Sequence, residues 1–260
     1  MLSEKLRSIA KRSLESIAPN LLLKMRVRMK MGYEAELELL PLLCDKNKVA
    51  IDVGANWGKY TRIMLKYSKK CWAFEPNPHL SKLLTRTFDS DLIVKQVALS
   101  NKNGKTQIRI PINFPGASSI ENENSLDDFG KVNEITVPIQ KLDSYDLENV
   151  AIIKIDVEGH EQSVLEGAKK ILHRDKPSLI IEAEERHKPN TINNIRKFLE
   201  NLGYKGFFFL DNYLQDLETF SIENHQNLKN VNRGSKVGLY VNNFVFIEQE
   251  HLDKISKFIK

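Results

Sequence analysis

The sequence predicts a doubly wound, Rossmann-like α/β fold with a mostly parallel sheet, and three observations carry that prediction. Short apolar runs, among them VAIDV (49–53), CWAFE (71–75) and VAIIKIDV (150–157), alternate with segments whose apolar residues recur at helical spacing. The runs are apolar almost throughout rather than at every second residue, as in strands covered on both faces. The first run ends in a glycine-containing turn that leads straight into a helix, the kind of place where open α/β sheets hold ligands.

At 260 residues the chain is long enough for one substantial core. Residues 1–35 read as a basic N-terminal helical arm, followed by one domain over 36–260. Leu6, Ile9, Leu14 and Ile17 share one side of a helix over 3–18 that Pro19 closes, and a second basic helix runs from Leu21 to about Met31. Residues 1–32 hold eight Lys/Arg against two Glu, whereas the remaining chain carries 31 basic and 32 acidic residues. A nearly neutral body excludes a broad nucleic-acid surface. The arm suits either peripheral contact with an anionic membrane or packing on its own domain or a second copy. LLLKMRVRMKM is too interrupted by charge for a membrane span or a signal peptide, so the expected location is the cytoplasm, with the inner membrane surface within the arm's reach. Cys44 and Cys71 have no C-x-x-C partner and read as free thiols.

After the first strand, Tyr60, Ile63, Met64 and Tyr67 mark the buried side of a helix. The second strand, 71–75, is stopped by EPNP; a helix over about 79–88 and a third strand, LIVKQVAL (92–99), follow. A β insertion is expected around 105–142, where KTQIRIPI and EITVPIQKL flank the polar PGASSIENENSLDDFGK, a loop of the kind that lies over a site and moves. Beyond the strand at 150–157, a helix buries Val164, Leu165, Ala168, Ile171 and Leu172. PSLIIEAE (177–184) is a further strand, and Ile192, Ile195, Leu199 and Leu202 mark the helix after it. GFFFLD and YVNNFVFI have no convincing helix between them, which predicts one antiparallel edge strand.

The turn in VAIDVGANWGKYT decides the ligand class. A P-loop needs G-x-x-x-x-G-K-[ST], but this turn is one residue short and has Tyr60 where a hydroxyl for Mg²⁺ belongs. A dinucleotide turn needs G-x-G-x-x-G, and here Asn56 stands between Gly54 and Gly58. Asparagine tolerates the left-handed conformation, but its side chain crowds a pyrophosphate. A ligand without phosphates fits better, and S-adenosylmethionine is such a ligand. Its carboxylate suits the N–H groups near Asn56 to Gly58, and its ammonium or sulfonium suits Asp52. Glu75, 23 residues after Asp52 at the next strand's end, suits both ribose hydroxyls, while Val97 and Ala98 would edge the adenine. The predicted cofactor contacts are therefore Asp52, Gly54, Ala55, Asn56, Gly58, Tyr60 and Thr61, then Glu75, Pro76 and Asn77, then Val97, Ala98 and Asp156. The alternative is a structural turn with a capping Asp and a surface Glu.

IDVGANWGKYT, AFEPNP, VALSNKNG, IIKIDVEGHEQSVLEGA and IIEAEERH, in this order and spacing, resemble the FkbM family of S-adenosylmethionine-dependent methyltransferases. The resemblance runs from about Glu36 to Ile247 and rests most specifically on IKIDVEGHE followed by GA; the arm lies outside it. It implies a class I methyltransferase sheet and O-methylation, often of sugar hydroxyls in glycans or of natural products.

An alcohol acceptor must lose its proton, which calls for a base or a metal. Asp156 ends the fourth strand as the natural neighbour of the methyl donor, and Glu158 can face the acceptor. Glu182 and Glu184 share one face of the fifth strand, with Glu184 and His187 at its tip. The candidate catalytic residues are Asp156, Glu158, Glu184 and His187. Glu158 and Glu161 have a second reading, as acids that stabilise a helix N-terminus. No metal is expected, since nothing fixes a ligand geometry among these groups. Base N-methylation is disfavoured because Asp-Val-Glu-Gly replaces an Asp-Pro-Pro-aromatic ending. A sugar or glycan hydroxyl is the expected acceptor. A natural-product O-methyltransferase, a nicotinamide-dependent oxidoreductase on the same sheet and a non-catalytic membrane-surface protein are the alternatives.

Overall fold

The computed structural model describes residues 34–88, 90–112, 114–122, 124–232 and 235–260. The two basic helices and the membrane contact expected of the arm lie outside the described residues.

The predicted doubly wound sheet is present. Strands β1 (Val49–Val53), β2 (Lys70–Phe74), β3 (Leu92–Lys95), β7 (Val150–Ile155) and β8 (Ser178–Glu182) run parallel. With β9 (Tyr204–Leu210), β10 (Tyr213–Asp216) and β13 (Asn243–Glu248) they form one eight-stranded sheet in the order β10-β9-β13-β8-β7-β1-β2-β3. Helices α1 (Leu40–Leu43), α2 (Lys59–Tyr67), α3 (Pro78–Thr87), α4 (Glu161–Glu166), α5 (Lys169–Asp175), α6 (Thr191–Glu200) and α7 (Ile222–His225) complete the framework. Alternate residues of each strand divide between the two faces. Ile51, Val53, Ile153 and Ile155 pack against Val164, Leu165 and Leu172 on one side. Ala50, Ile152, Ile180 and Val245 pack against Leu39, Leu43 and Met64 on the other.

β4 (Ala98–Leu99), β5 (Gly104–Pro111) and β6 (Val132–Gln140) make a separate three-stranded sheet, with β5 and β6 paired antiparallel. A small hairpin, β11 (Val231–Asn232) with β12 (Ser235–Lys236), precedes the last strand. Among the described residues no helix is long and apolar enough to cross a membrane.

Four element-level expectations need correction. LIVKQVAL is two strands rather than one, β3 in the main sheet and β4 in the insertion, so the chain changes sheets at Gln96–Val97. The single helix expected over Val164–Leu172 is α4 and α5, interrupted at Gly167, where a Cβ would stand 1.9 Å from the Ser100 carbonyl oxygen. The fifth strand ends at Glu182, leaving Glu184 in the loop beyond it. Finally, the sheet has two antiparallel strands rather than one at its edge. β10 occupies the edge, whereas the closing strand β13 inserts between β8 and β9, antiparallel to both. Phe244, Val245, Phe246 and Ile247 are all buried, which an edge position does not provide. On α2 the buried side is Tyr60, Thr61 and Met64, while Tyr67 is exposed.

Candidate active site

The strand order reverses between β1 and β7, and a cavity opens at the carboxyl ends of β1, β2 and β7. That place is where a doubly wound sheet holds small molecules. Gly54, Asn56, Glu75, Pro76, Val97, Ala98, Asp156 and Glu158 line it together, with apolar Leu80, Leu99 and Ile108. The insertion adds Pro115, Gly116, Ser118 and Ile120 from the polar loop expected over the site.

Local backbone geometry explains the turn. Gly54 is left-handed at φ 76°, and a Cβ there would lie 1.7 Å from the Asp156 carbonyl oxygen. Asn56 takes the left-handed conformation expected of it, at φ 50°. Its N–H donates to Glu75 Oε2 at 2.8 Å, while the Asn77 N–H donates to Glu75 Oε1 at 2.8 Å. Two loops thus fix one carboxylate at the tip of β2. Burial pushes the Glu75 carboxyl up to about 7, outweighing these two hydrogen bonds. Asn56 Oδ1 is buried without a protein partner.

Other residues expected at the cofactor do not line the cavity. Strand parity sends Asp52 to the face covered by α2, where its Oδ2 accepts from the Thr61 N–H (2.8 Å) and hydroxyl. Lys154, opposite Asp52 in the β1–β7 register, shares that face, with Nζ 4.9 Å from the centroid of the Tyr60 ring. Burial alone would lower the Lys154 pKa, but Asp156, Glu182, Glu34 and Asp52 around it raise it. Tyr60 donates its hydroxyl to Glu34 Oε2 at 2.6 Å. Ala55 packs with Ala73 and Leu84, Gly58 begins α2, and Asn77 caps α3 by accepting from the His79 N–H at 3.0 Å.

Asp156 extends the β1–β7 ladder, donating its N–H to the Val53 carbonyl at 2.9 Å. Burial raises its carboxyl to about 6 against the opposing pull of Lys154. Glu158 sits at φ 54°, a conformation that costs a residue with a Cβ about 1–2 kcal/mol and that accumulates at functional sites. Burial, together with Asp156, Glu182 and Glu184, holds its carboxyl well above the usual range. His187 Nε2 lies 3.2 Å from Glu158 Oε2. Burial lowers the His187 pKa to about 4, so the imidazole is neutral at physiological pH. Neither His187 nor Glu184 lines the cavity; His187 faces it through Glu158. Glu184 is engaged by Arg186 through both carboxylate oxygens (2.5 and 3.0 Å) and by the Tyr240 hydroxyl (2.6 Å). Burial opposes its ionisation, but those partners hold it below the usual carboxylate range. Glu182 faces Lys154 Nζ at 3.8 Å and accepts from Asn242. Glu161, at the start of α4, accepts the Gly159 N–H at 2.9 Å, and burial raises it to about 7.

The insertion supplies contacts that no sequence pattern announced. Ser119 and Asn124, both buried, donate to the Glu158 carbonyl at 2.9 and 3.0 Å. Arg109 Nη2 donates to the Glu121 and Asn124 carbonyls. His160 joins Glu121 to Ser100, with Nδ1 on Glu121 Oε1 and Nε2 2.9 Å from Ser100 Oγ. That chain has the connectivity of a nucleophilic triad, but Ser100 has no exposed surface, so it fastens the loop instead. Among the described residues no three His, Cys, Asp or Glu side chains are grouped to hold a metal ion.

The buried acids set a pH dependence of stability. Glu75, Glu161 and Asp156 have folded pKa values above their unfolded ones, so the folded chain holds protons that the unfolded chain has released. Their effect is loss of stability as pH rises from about 4 through about 7. Glu34, Glu184 and Asp175 are depressed, and their stabilisation disappears as pH falls below about 4.5. The urea midpoint of the ligand-free protein is expected to peak near pH ~5 and to be lower at pH ~8. A midpoint that climbs steadily to pH ~8 contradicts the raised acids.

A family model described as the methyltransferase FkbM domain matches residues 52–205. The chain is similar to the hexuronic acid methyltransferase AglP of Haloferax volcanii, with 28% identity over 151 residues, covering 56% of this chain and 61% of the relative. Among solved structures, methyltransferase FkbM from Methylobacillus flagellatus KT matches with a TM-score of 0.49 and 16% identity, over 78% of this chain and 44% of that one. M. jannaschii TYW2, in complex with AdoMet, matches with a TM-score of 0.40 and 16% identity, over 84% of this chain and 78% of that one. This chain thus spans about 61% of the length of the curated relative it matches.

Proposed function

We propose, from the premise that this chain belongs to the FkbM methyltransferase family, that it transfers a methyl group from S-adenosylmethionine to a sugar hydroxyl of a glycan or glycoconjugate. The observation that carries the reading is the Glu75 carboxylate. Each of its oxygens accepts one backbone N–H and retains capacity for another donor, which suits a pair of ribose hydroxyls. Among the described residues, three acidic side chains and no Lys or Arg line the cavity, a setting that favours a cationic sulfonium and disfavours the pyrophosphate of a nicotinamide cofactor. The unpartnered Asn56 Oδ1 suits the ammonium of the amino-acid moiety, and Val97, Ala98, Leu99 and Ile108 form an apolar slot for adenine.

S-adenosylmethionine supplies an activated methyl carbon that is open to in-line displacement. The protein's part is to orient the acceptor oxygen and to receive its proton. Asp156 and Glu158 line the cavity side by side, and their raised pKa values make them stronger bases than ordinary carboxylates once ionised. Carboxylates also accept hydrogen bonds from neighbouring sugar hydroxyls. The sugar acceptor draws support from the hexuronic acid methyltransferase among the relatives.

Glu75→Ala is expected to weaken S-adenosylhomocysteine by about 10- to 150-fold, the value of about 1.5–3 kcal/mol for charge-assisted hydrogen bonds. Unchanged calorimetric affinity in a folded variant removes Glu75 from the site. Labelled S-adenosylmethionine incubated with fractionated glycans from the source cell, followed by mass spectrometry of the methylated product, tests the acceptor.

A further inference from the structure

We propose that Ser119 and Asn124 of the β insertion are positioning residues for Glu158, clamping its carbonyl so that its carboxylate faces the methyl-transfer cavity. This rests on the function proposed above, and the geometry behind it is independent of that function. Glu158 and Gly159 are consecutive left-handed residues, at φ 54° and 106°. Nothing in a Glu side chain favours that conformation, so the surroundings must impose it.

Two side chains aim at the Glu158 carbonyl from the same loop, the Ser119 hydroxyl at 2.9 Å and Asn124 Nδ2 at 3.0 Å. Both residues are almost wholly buried, at 1% and 4% exposure, so neither bond is shared with solvent. The loop is itself anchored. Ser119 exchanges both backbone hydrogen bonds with Arg109 on β5, and the Arg109 guanidinium holds the Glu121 and Asn124 carbonyls. His160, adjacent to Gly159, is tied to Glu121. The same stretch lines the cavity through Pro115, Gly116, Ser118 and Ile120. One loop therefore borders the ligand and sets the backbone of the candidate base. Around the Glu158 carboxylate stand Asp156, Glu182, Glu184, Arg186 and His187, which settle its charge but do not fix its backbone.

The test uses the full chain and Asn124→Ala, with Ser119→Ala as the second variant. Turnover in Asn124→Ala is expected to fall on the order of 10- to 100-fold, as for a displaced reacting group, with S-adenosylhomocysteine affinity held within about threefold. In a Glu158→Gln background the same substitution should cause almost no further loss, because it acts through the carboxylate. The ring ¹⁵N resonances of His187, assigned with His187→Gln, should shift in Asn124→Ala as the 3.2 Å contact with Glu158 is disturbed. An equal loss of turnover in both backgrounds overturns the proposal. So do unmoved His187 resonances in a folded Asn124→Ala or Ser119→Ala protein. If His187 responds while the wild-type protein methylates no sugar, the positioning role stands and the assigned reaction fails.

Discussion

Asp156→Asn and Glu158→Gln should each lower turnover by about 10²–10⁴-fold while leaving S-adenosylhomocysteine affinity within about threefold. An amide keeps the size of the carboxylate but cannot take the acceptor's proton. The two variants are expected to differ in their pH profiles. Burial holds both carboxyls high, but Glu158 is also raised by the negative charge on Asp156, next to it on the cavity wall. The two carboxyls titrate as a coupled pair, each held up by burial and by neighbouring acids. Wild-type turnover should rise as pH passes through the Glu158 titration. Replacing Asp156 with Asn removes a negative neighbour, so the acid limb of the remaining activity should move to lower pH. Glu158→Gln should abolish that limb. Near-wild-type turnover in both variants rules these carboxylates out as the base. Between the remaining candidates, Glu184 is engaged by Arg186 and Tyr240, whereas His187 carries a neutral ring directly against Glu158.

Glu75 was legible because a strand, a turn, a helix and a second strand place an acid at a predictable tip. Asn56 was legible because few residues tolerate the left-handed turn between Gly54 and Gly58. Asp52 marks where local reading ends. The motif predicts it at the cofactor, whereas parity along β1 turns its side chain to the α2 face beside Lys154. That buried lysine had its own signal, a charge inside the apolar run VAIIKIDV. The placement of β13 also had one, since consecutive buried Phe244–Ile247 demand cover on both faces. Ser119 and Asn124 had none. Their bonds reach across 39 and 34 residues to a main-chain carbonyl, and they exist only because the β5–β6 sheet folds the loop back onto the β7 tip. Polar residues in such a loop look the same whether they face water or hold a backbone carbonyl.

Gly54→Ala is expected to destabilise the protein by more than about 4 kcal/mol or to prevent folding, a loss that single substitutions rarely reach. The left-handed φ of 76° alone accounts for about 1–2 kcal/mol with a Cβ present. The larger part is steric. The added carbon would stand 1.7 Å from the Asp156 carbonyl oxygen and 2.9 Å from its carbonyl carbon, and backbone cannot rotate out of the way. Relief requires β1 and β7 to separate at their carboxyl ends, breaking the 2.9 Å bond from the Asp156 N–H to Val53 and displacing Asp156 from the cavity. Gly58→Ala provides the contrast. It has a similar φ of 80°, but its Cβ would meet the side chains of Phe88 and Leu84 at 2.7 and 2.8 Å, and side chains can yield. A loss of about 1–3 kcal/mol is expected there. Urea unfolding of both variants, read by circular dichroism, should rank Gly54→Ala as the clearly worse. If its midpoint matches that of Gly58→Ala, the meeting of β1 and β7 at the site is looser than these distances require.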